Sequence, residues 1–252
     1  MKPENIAPFL KEILRSGREL EGGLYSNPEL YDAVYTLDAD YPILESKVRQ
    51  NIEKGSSILY IGCGTGNLIR RLENDYEILG IDRSSQMTDY ASEKVDSEIR
   101  NKSSFEMDFH EEFDAVIQFG LSLNYILSER EMESHFRKIG EALKEGGVYL
   151  ADFWTLLDKG SGWKTEYELE GVDLVVGYSF EELEHCMEME IKFRISSDLG
   201  SEKFNNTHRI RSWEVAEIKQ ILELGGLEAV GSEKLYDHHN FRLVEATRDK
   251  TG

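Results

Sequence analysis

Ile58-Leu59-Tyr60-Ile61-Gly62-Cys63-Gly64-Thr65-Gly66-Asn67 decides how the rest of this chain is read. The apolar run Ile58 to Ile61 has the length and composition of a buried strand. It breaks into three alternating glycines, and a helix-like stretch begins near Asn67. Glycine adopts positive φ and carries no Cβ, so Gly62, Gly64 and Gly66 let the backbone turn sharply and approach a ligand as a floor. The helix that follows presents unpaired N–H groups, which favour a carboxylate, phosphate or hydroxyl.

The spacing separates two ligand classes. A dinucleotide fingerprint runs G-x-G-x-x-G, and its third glycine falls on Asn67, leaving G-x-G-x-G instead. Further on, Tyr76-Glu77-Ile78-Leu79-Gly80-Ile81 reads as a second strand ending at Asp82. An acidic residue about twenty positions after the first glycine is placed to accept hydrogen bonds from ribose hydroxyls.

These segments resemble the class I, Rossmann-like S-adenosylmethionine-dependent methyltransferases. The likeness rests on Leu59 to Gly66 as a first motif and on Leu79 to Asp82 with Ser84, Ser85 and Met87 as a second. Ser104 to Phe109 fits the third strand and its turn, Phe113 to Ile117 the fourth strand, and Leu143 to Leu150 a helix end, glycine turn and fifth strand. The resemblance implies an α/β fold with a mostly parallel seven-stranded sheet and helices on both faces. It implies S-adenosylmethionine as cofactor and S-adenosylhomocysteine as product. For cofactor contacts it points to Tyr60, Gly62, Cys63, Gly64 and Gly66 in the loop, and to Asp82 on the ribose with Arg83 and Met87 beside it. Asp108 and Phe109 fall at the adenine edge, and Gln118 at the end of the fourth strand.

The pattern comes nearest to small-molecule N-methyltransferases, including those that dimethylate nucleotide-linked amino sugars. Tyr31-Asp32-Ala33-Val34-Tyr35 with Asp40-Tyr41 is similar to their N-terminal segment, which closes over cofactor and substrate. Tyr125, in the loop Gln118 to Tyr125, matches a position where those enzymes carry an aromatic or imidazole group, while Leu121 and Asn124 depart from their usual serine and glycine. Tyr125, Tyr31 and Tyr35 are the expected catalytic residues, and Trp154 is a further candidate for the pocket wall. An amine acceptor is expected over a hydroxyl; protein-directed or O-directed transfer, or a non-catalytic binding module on the same fold, are the alternatives.

Alternation of strand and helix argues for a parallel sheet with its site beyond the strand ends. Helices are expected over Asn5 to Arg18, ended by Gly22-Gly23, then over Ile43 to Lys54, Ser84 to Lys94 with a Ser cap, Glu129 to Leu143, and Glu214 to Leu224. From Thr165 to Ser212 the pattern turns to β-rich runs at 164–169, 174–179, 187–195 and 207–210, an antiparallel insertion. Strands at 227–234 and 241–247 close the sheet. The expected organisation is an N-terminal helical cover at 1–54, a methyltransferase core at 55–160 and 213–252, and a β insertion at 161–212 serving as substrate lid or as a homodimer element.

Composition narrows the partners. A formal charge of −20, from 49 acidic against 29 basic residues, repels a nucleic-acid backbone, and no basic run offsets it. No apolar stretch has the length of a membrane span and the N-terminus shows no signal-peptide core, so a cytoplasmic enzyme with a small-molecule substrate is expected. Cys63 and Cys186 form no metal or redox motif. His208, His238 and His239 read as surface residues, since adjacent histidines on a strand point to opposite faces; no metal is expected.

Overall fold

In the computed structural model of the chain, residues 1–17, 23–155, 162–235 and 241–248 are described. His238, His239, Arg18 and Gly22 lie outside them. The chain forms two compact units, one of Met1–Ala39 with Asp158–Ile210, the other of Asp40–Leu157 with Arg211–Gly252.

The larger unit is built on a seven-stranded sheet of order β10-β11-β5-β4-β1-β2-β3. Its strands are β1 (Ser57–Ile61), β2 (Glu77–Asp82), β3 (Glu98–Asn101), β4 (Phe113–Gln118), β5 (Leu143–Trp154), β10 (Leu227–Lys234) and β11 (Phe241–Arg248). The first five pair in parallel, whereas β11 runs antiparallel to both β5 and β10. The strand order reverses beside β1, between β4 and β2, which is where doubly wound sheets bind ligands.

Alternate residues of the central strands serve opposite faces. Leu59 and Ile61 pack with Val116, Phe136, Tyr149 and Trp213 under α6 (Glu129–Ala142) and α7 (Val215–Leu224). Ile58 and Tyr60 pack with Leu44, Val48, Ile69 and Phe119 under α3 (Tyr41–Asn51) and the single turn of α4 (Ile69–Leu72). Burial on both faces explains the unbroken apolar run of β1. Ser84 and Ser128 cap α5 (Ser85–Ser92) and α6 as their sequence positions suggest, each accepting a backbone N–H of the first turn.

The third strand is a correction. It lies at Glu98–Asn101 rather than at Ser104 to Phe109, where Ser103 and Glu106 form a reciprocal cap on a single 3-10 turn. β3 is the edge of the sheet and none of its four residues is fully buried, so it lacks the apolar signature of a strand. The fifth strand also differs. It runs from Leu143 through Gly146-Gly147 without a separate turn, with a register shift against β4 between Phe113 and Ala115.

The smaller unit holds α1 (Ile6–Ser16), α2 (Pro28–Asp38) and a four-stranded antiparallel sheet of β6 (Gly162–Leu169), β7 (Val172–Glu182), β8 (Met187–Ser197) and β9 (Gly200–Ile210). The last of these begins seven residues before the expected 207, in a stretch of mostly exposed polar residues. β7 and β8 alternate strictly, burying Leu174, Val176, Tyr178, Ile191, Phe193 and Ile195 on one face. The amphipathic α1 buries Ile6, Ala7, Leu10 and Ile13 and packs on these strands. Tyr167 and Tyr178 both donate hydroxyl hydrogen bonds to Asp38 at the end of α2, at 2.7 and 2.8 Å. Asn206 of β9 accepts from Leu24 N at 2.7 Å. The N-terminal segment and the insertion are thereby one structure. Among the described residues no helix is long and apolar enough to cross a membrane.

Candidate active site

The glycine loop leaves β1 through two backbone bonds, Gly62 N and Cys63 N both donating to Ile81 O at the end of β2, at 2.8 and 3.1 Å. Gly62, Gly64 and Gly66 all have positive φ, between 54° and 74°. At Gly66 a Cβ would come within 3.1 Å of Val95 and 3.4 Å of Ala91, so this glycine also permits the loop's approach to α5. Asn67, at the position of the missing dinucleotide glycine, is engaged through its side chain: its Nδ2 donates to the Tyr41 hydroxyl and its Oδ1 accepts from Lys94.

Asp82 ends β2 with its carboxylate against the same loop. One oxygen accepts from Gly64 N at 3.0 Å and the other from Ser84 N at 2.9 Å. Burial pushes its pKa up, and the amide hydrogen bonds oppose that only partly. A carboxylate has about four acceptor positions, so capacity remains after two amides for a pair of hydroxyls. Met87 is buried at the start of α5. Arg83 is exposed, its guanidinium 5.8 Å from the Tyr125 ring. Burial also holds Tyr60 and Cys63 in their neutral forms, raising both well above their ordinary values.

After β4 the chain enters a tight loop. Gly120 has φ +79° and Leu121 φ +63°, the second a left-handed conformation costly for a leucine. Asp152, near the end of β5 and almost fully buried, spans both: its oxygens accept from Gly120 N at 3.2 Å and Leu121 N at 2.9 Å. Asn124 closes the loop's far end. Its Nδ2 donates to Trp154 O and Arg211 O, and its Oδ1 accepts from Trp154 N at 2.9 Å. The loop so held places Ser122 against the glycine floor, where a Cβ on Gly62 would lie 3.4 Å from Ser122 Cβ and Oγ. Ser122 Oγ is buried and has no protein partner. An orphaned hydroxyl beside a Cβ-free floor, with spare acceptor capacity on Asp82, fits a ligand bearing both polar groups and a ribose.

The other expected residues divide. Asp108 lies beyond β3 on the surface, its side chain 76% exposed and paired with Lys102. Its neighbour Phe109 is buried, edge-on to Phe113 with ring centroids 5.2 Å apart. Gln118 turns its side chain inward, where Oε1 accepts from His135 Nε2 at 2.7 Å and the Tyr149 hydroxyl at 2.8 Å. Trp154 is buried edge-on to Phe241. Tyr31 and Tyr35 belong to the smaller unit, their ring centroids 4.4 Å apart, with Tyr25 5.4 Å from Tyr31 and 4.9 Å from the His208 ring.

The reading of His208 as a surface residue is corrected in part, since it is half-buried in this aromatic group. His135, which the sequence reading did not single out, is fully buried. Sequence reasoning also missed Asp152, whose signal was an acidic residue inside the apolar strand Val148 to Trp154.

Comparison with known proteins agrees with this geometry. A family model described as a methyltransferase domain matches residues 58–147, from β1 into β5. A Geobacillus sp. (strain WCH70) protein that carries the name methyltransferase is 30% identical over 206 residues, covering 75% of this chain and 81% of that one. The dTDP-3-amino-3,4,6-trideoxy-alpha-D-glucopyranose N,N-dimethyltransferase of Streptomyces venezuelae is 23% identical over 187 residues, 71% of this chain and 78% of that enzyme. Among solved structures, an S-adenosylmethionine-bound amino pentose methyltransferase from Micromonospora echinaspora superposes with a TM-score of 0.77 at 17% identity, over 87% of this chain and 96% of the other. The chain belongs to the class I, Rossmann-like family of S-adenosylmethionine-dependent methyltransferases.

Proposed function

We propose that the chain transfers a methyl group from S-adenosylmethionine to an amine nitrogen of a small molecule. The observation that carries the choice of nitrogen is how the acidic groups at the strand ends are used. Asp82 and Asp152 each accept two backbone amides and act as fixtures, while burial keeps Tyr60 and Cys63 protonated. A hydroxyl acceptor calls for a base, whereas an amine arrives with its own lone pair. The likeness to an amino-sugar N,N-dimethyltransferase supports the same reading.

The cofactor supplies an activated methyl on a sulfonium. The protein's part is alignment and exclusion of water. Gly62, Gly64 and Gly66 offer their backbone as floor, Asp82 takes the ribose hydroxyls, and Met87 with Phe109 gives apolar contact to the base. Asp108 is the residue proposed for the adenine amine. Tyr125 presents its ring and hydroxyl to the acceptor from the loop after β4. An aromatic face favours an amine as positive charge develops on nitrogen.

Incubation with methyl-labelled S-adenosylmethionine and a panel of amino-sugar nucleotides, simple amines, phenols and peptides tests this. Label is expected in an amine product, accompanied by S-adenosylhomocysteine. Label confined to phenols or peptides would overturn the nitrogen assignment.

A further inference from the structure

A single carboxylate joins the two halves of the candidate site. Asp152 belongs to β5, yet both its oxygens are committed to the amides of Gly120 and Leu121 in the loop after β4, some thirty residues earlier. Three facts make this more than a turn contact. Leu121 adopts a left-handed conformation (φ +63°) that its side chain opposes, so something must hold it. Ser122, the next residue, carries the unpartnered buried hydroxyl facing Gly62. Asn124, two residues further, is tied to Trp154 at the end of the same strand. The loop from Phe119 to Tyr125 is therefore suspended from the end of β5.

We infer that Asp152 is a positioning residue: it holds Leu121 left-handed and thereby sets Ser122 against the glycine floor for cofactor and Tyr125 for the acceptor. This rests on the reading of the floor as the cofactor site. Burial raises the Asp152 pKa to about 6, with only the amides opposing it. The titratable groups that sense its charge are the Tyr60 hydroxyl on β1 and the Tyr149 hydroxyl on β5. Burial pushes both well above 10, so neither titrates beside it near neutral pH. Opening the loop exposes Asp152 and returns it towards its ordinary value of 3.8, so protonation below about pH 6 favours the closed loop.

Amide hydrogen exchange on the intact chain reads the loop directly, and S-adenosylhomocysteine titration reads its consequence. In Asp152→Asn at pH 7.5, protection of residues 119–125 is expected to fall by about tenfold, the equivalent of one hydrogen bond. The Kd for S-adenosylhomocysteine is expected to rise by a similar factor. In the wild-type protein, protection of the same segment, corrected for intrinsic rates, is expected to rise as pH falls from 7.5 to 5, with its onset near pH 6. The wild-type arm needs no variant, so it decides the matter if Asp152→Asn does not fold. Protection of 119–125 that is unchanged by pH in the wild type overturns the inference. Failure of S-adenosylhomocysteine to bind the wild type at any pH instead overturns the cofactor reading, and leaves the exchange result to judge Asp152 alone.

Discussion

Replacing Asp82 by alanine is expected to weaken S-adenosylhomocysteine binding by roughly a hundredfold to ten-thousandfold while the chain stays folded. The range follows from two charge-assisted hydrogen bonds to a ribose, each worth about 1.5 to 3 kcal/mol. The residue also pins Gly64 N and Ser84 N, so its removal frees the floor of the site and the entry to α5 together. Stability should suffer less than binding. Burial raises the pKa of Asp82, which means that the folded protein already holds this charge at a cost. Losing the carboxylate relieves that cost while leaving two amides unpaired. Calorimetric titration gives the affinity and far-UV circular dichroism the fold. Asp82→Asn, which keeps one acceptor, should fall between wild type and alanine. Wild-type affinity in the alanine variant would remove Asp82 from the cofactor site.

A second large effect concerns acid stability, where two buried groups are expected to oppose each other. His135 is neutral in the fold down to about pH 3, because burial disfavours the imidazolium, while its ordinary value is 6.5. Below pH 6.5 the unfolded chain takes up a proton that the folded chain refuses, so stability falls as pH falls through this range. Asp152 has the opposite sign. It stays protonated in the fold up to about pH 6, whereas the unfolded carboxyl ionises near 3.8, so stability rises as pH falls from 6 towards 3.8. Each group contributes a slope of about 1.4 kcal/mol per pH unit. Between roughly pH 4 and 6 the two slopes cancel.

Single variants should expose the cancellation. Relative to wild type, Asp152→Asn is expected to lose stability on going from pH 6 to 4.5, by about 2 kcal/mol. His135→Leu is expected to gain a similar amount over the same interval. Urea unfolding at the two pH values measures both, and comparison with wild type removes the contribution of all other carboxylates. Parallel stability curves for the three proteins would contradict the assignment of these groups.

How much of this was legible beforehand depended on whether the chemistry was local. The floor was readable because three glycines in five positions, a buried strand before them and Asp82 after the next strand are each visible within short windows. The five-segment order and the closing antiparallel pair followed from the same resemblance. The third strand was misread, because β3 sits at the sheet edge as Glu98-Ile99-Arg100-Asn101 and buries almost nothing, while the more apolar Ser104 to Phe109 was diverted into a capped turn. Asp152 and Asn124 were not legible as a pair of fasteners. Their partners lie about thirty residues away, or nearly ninety for Arg211, and no spacing rule links them. His135 was missed for a related reason: its burial depends on Gln118 and Tyr149, from two different strands, meeting beneath α6. The union of the N-terminal helices with the β insertion likewise depends on contacts, such as Tyr167 and Tyr178 on Asp38, separated by more than a hundred residues.

Binding of S-adenosylhomocysteine, set beside NADH as a dinucleotide control, tests the central claim most directly. A ligand that binds the folded state raises the unfolding temperature in proportion to its occupancy. A clear upward shift with S-adenosylhomocysteine and none with NADH is predicted, as G-x-G-x-G followed by Asn67 requires. A shift with NADH alone would contradict the account.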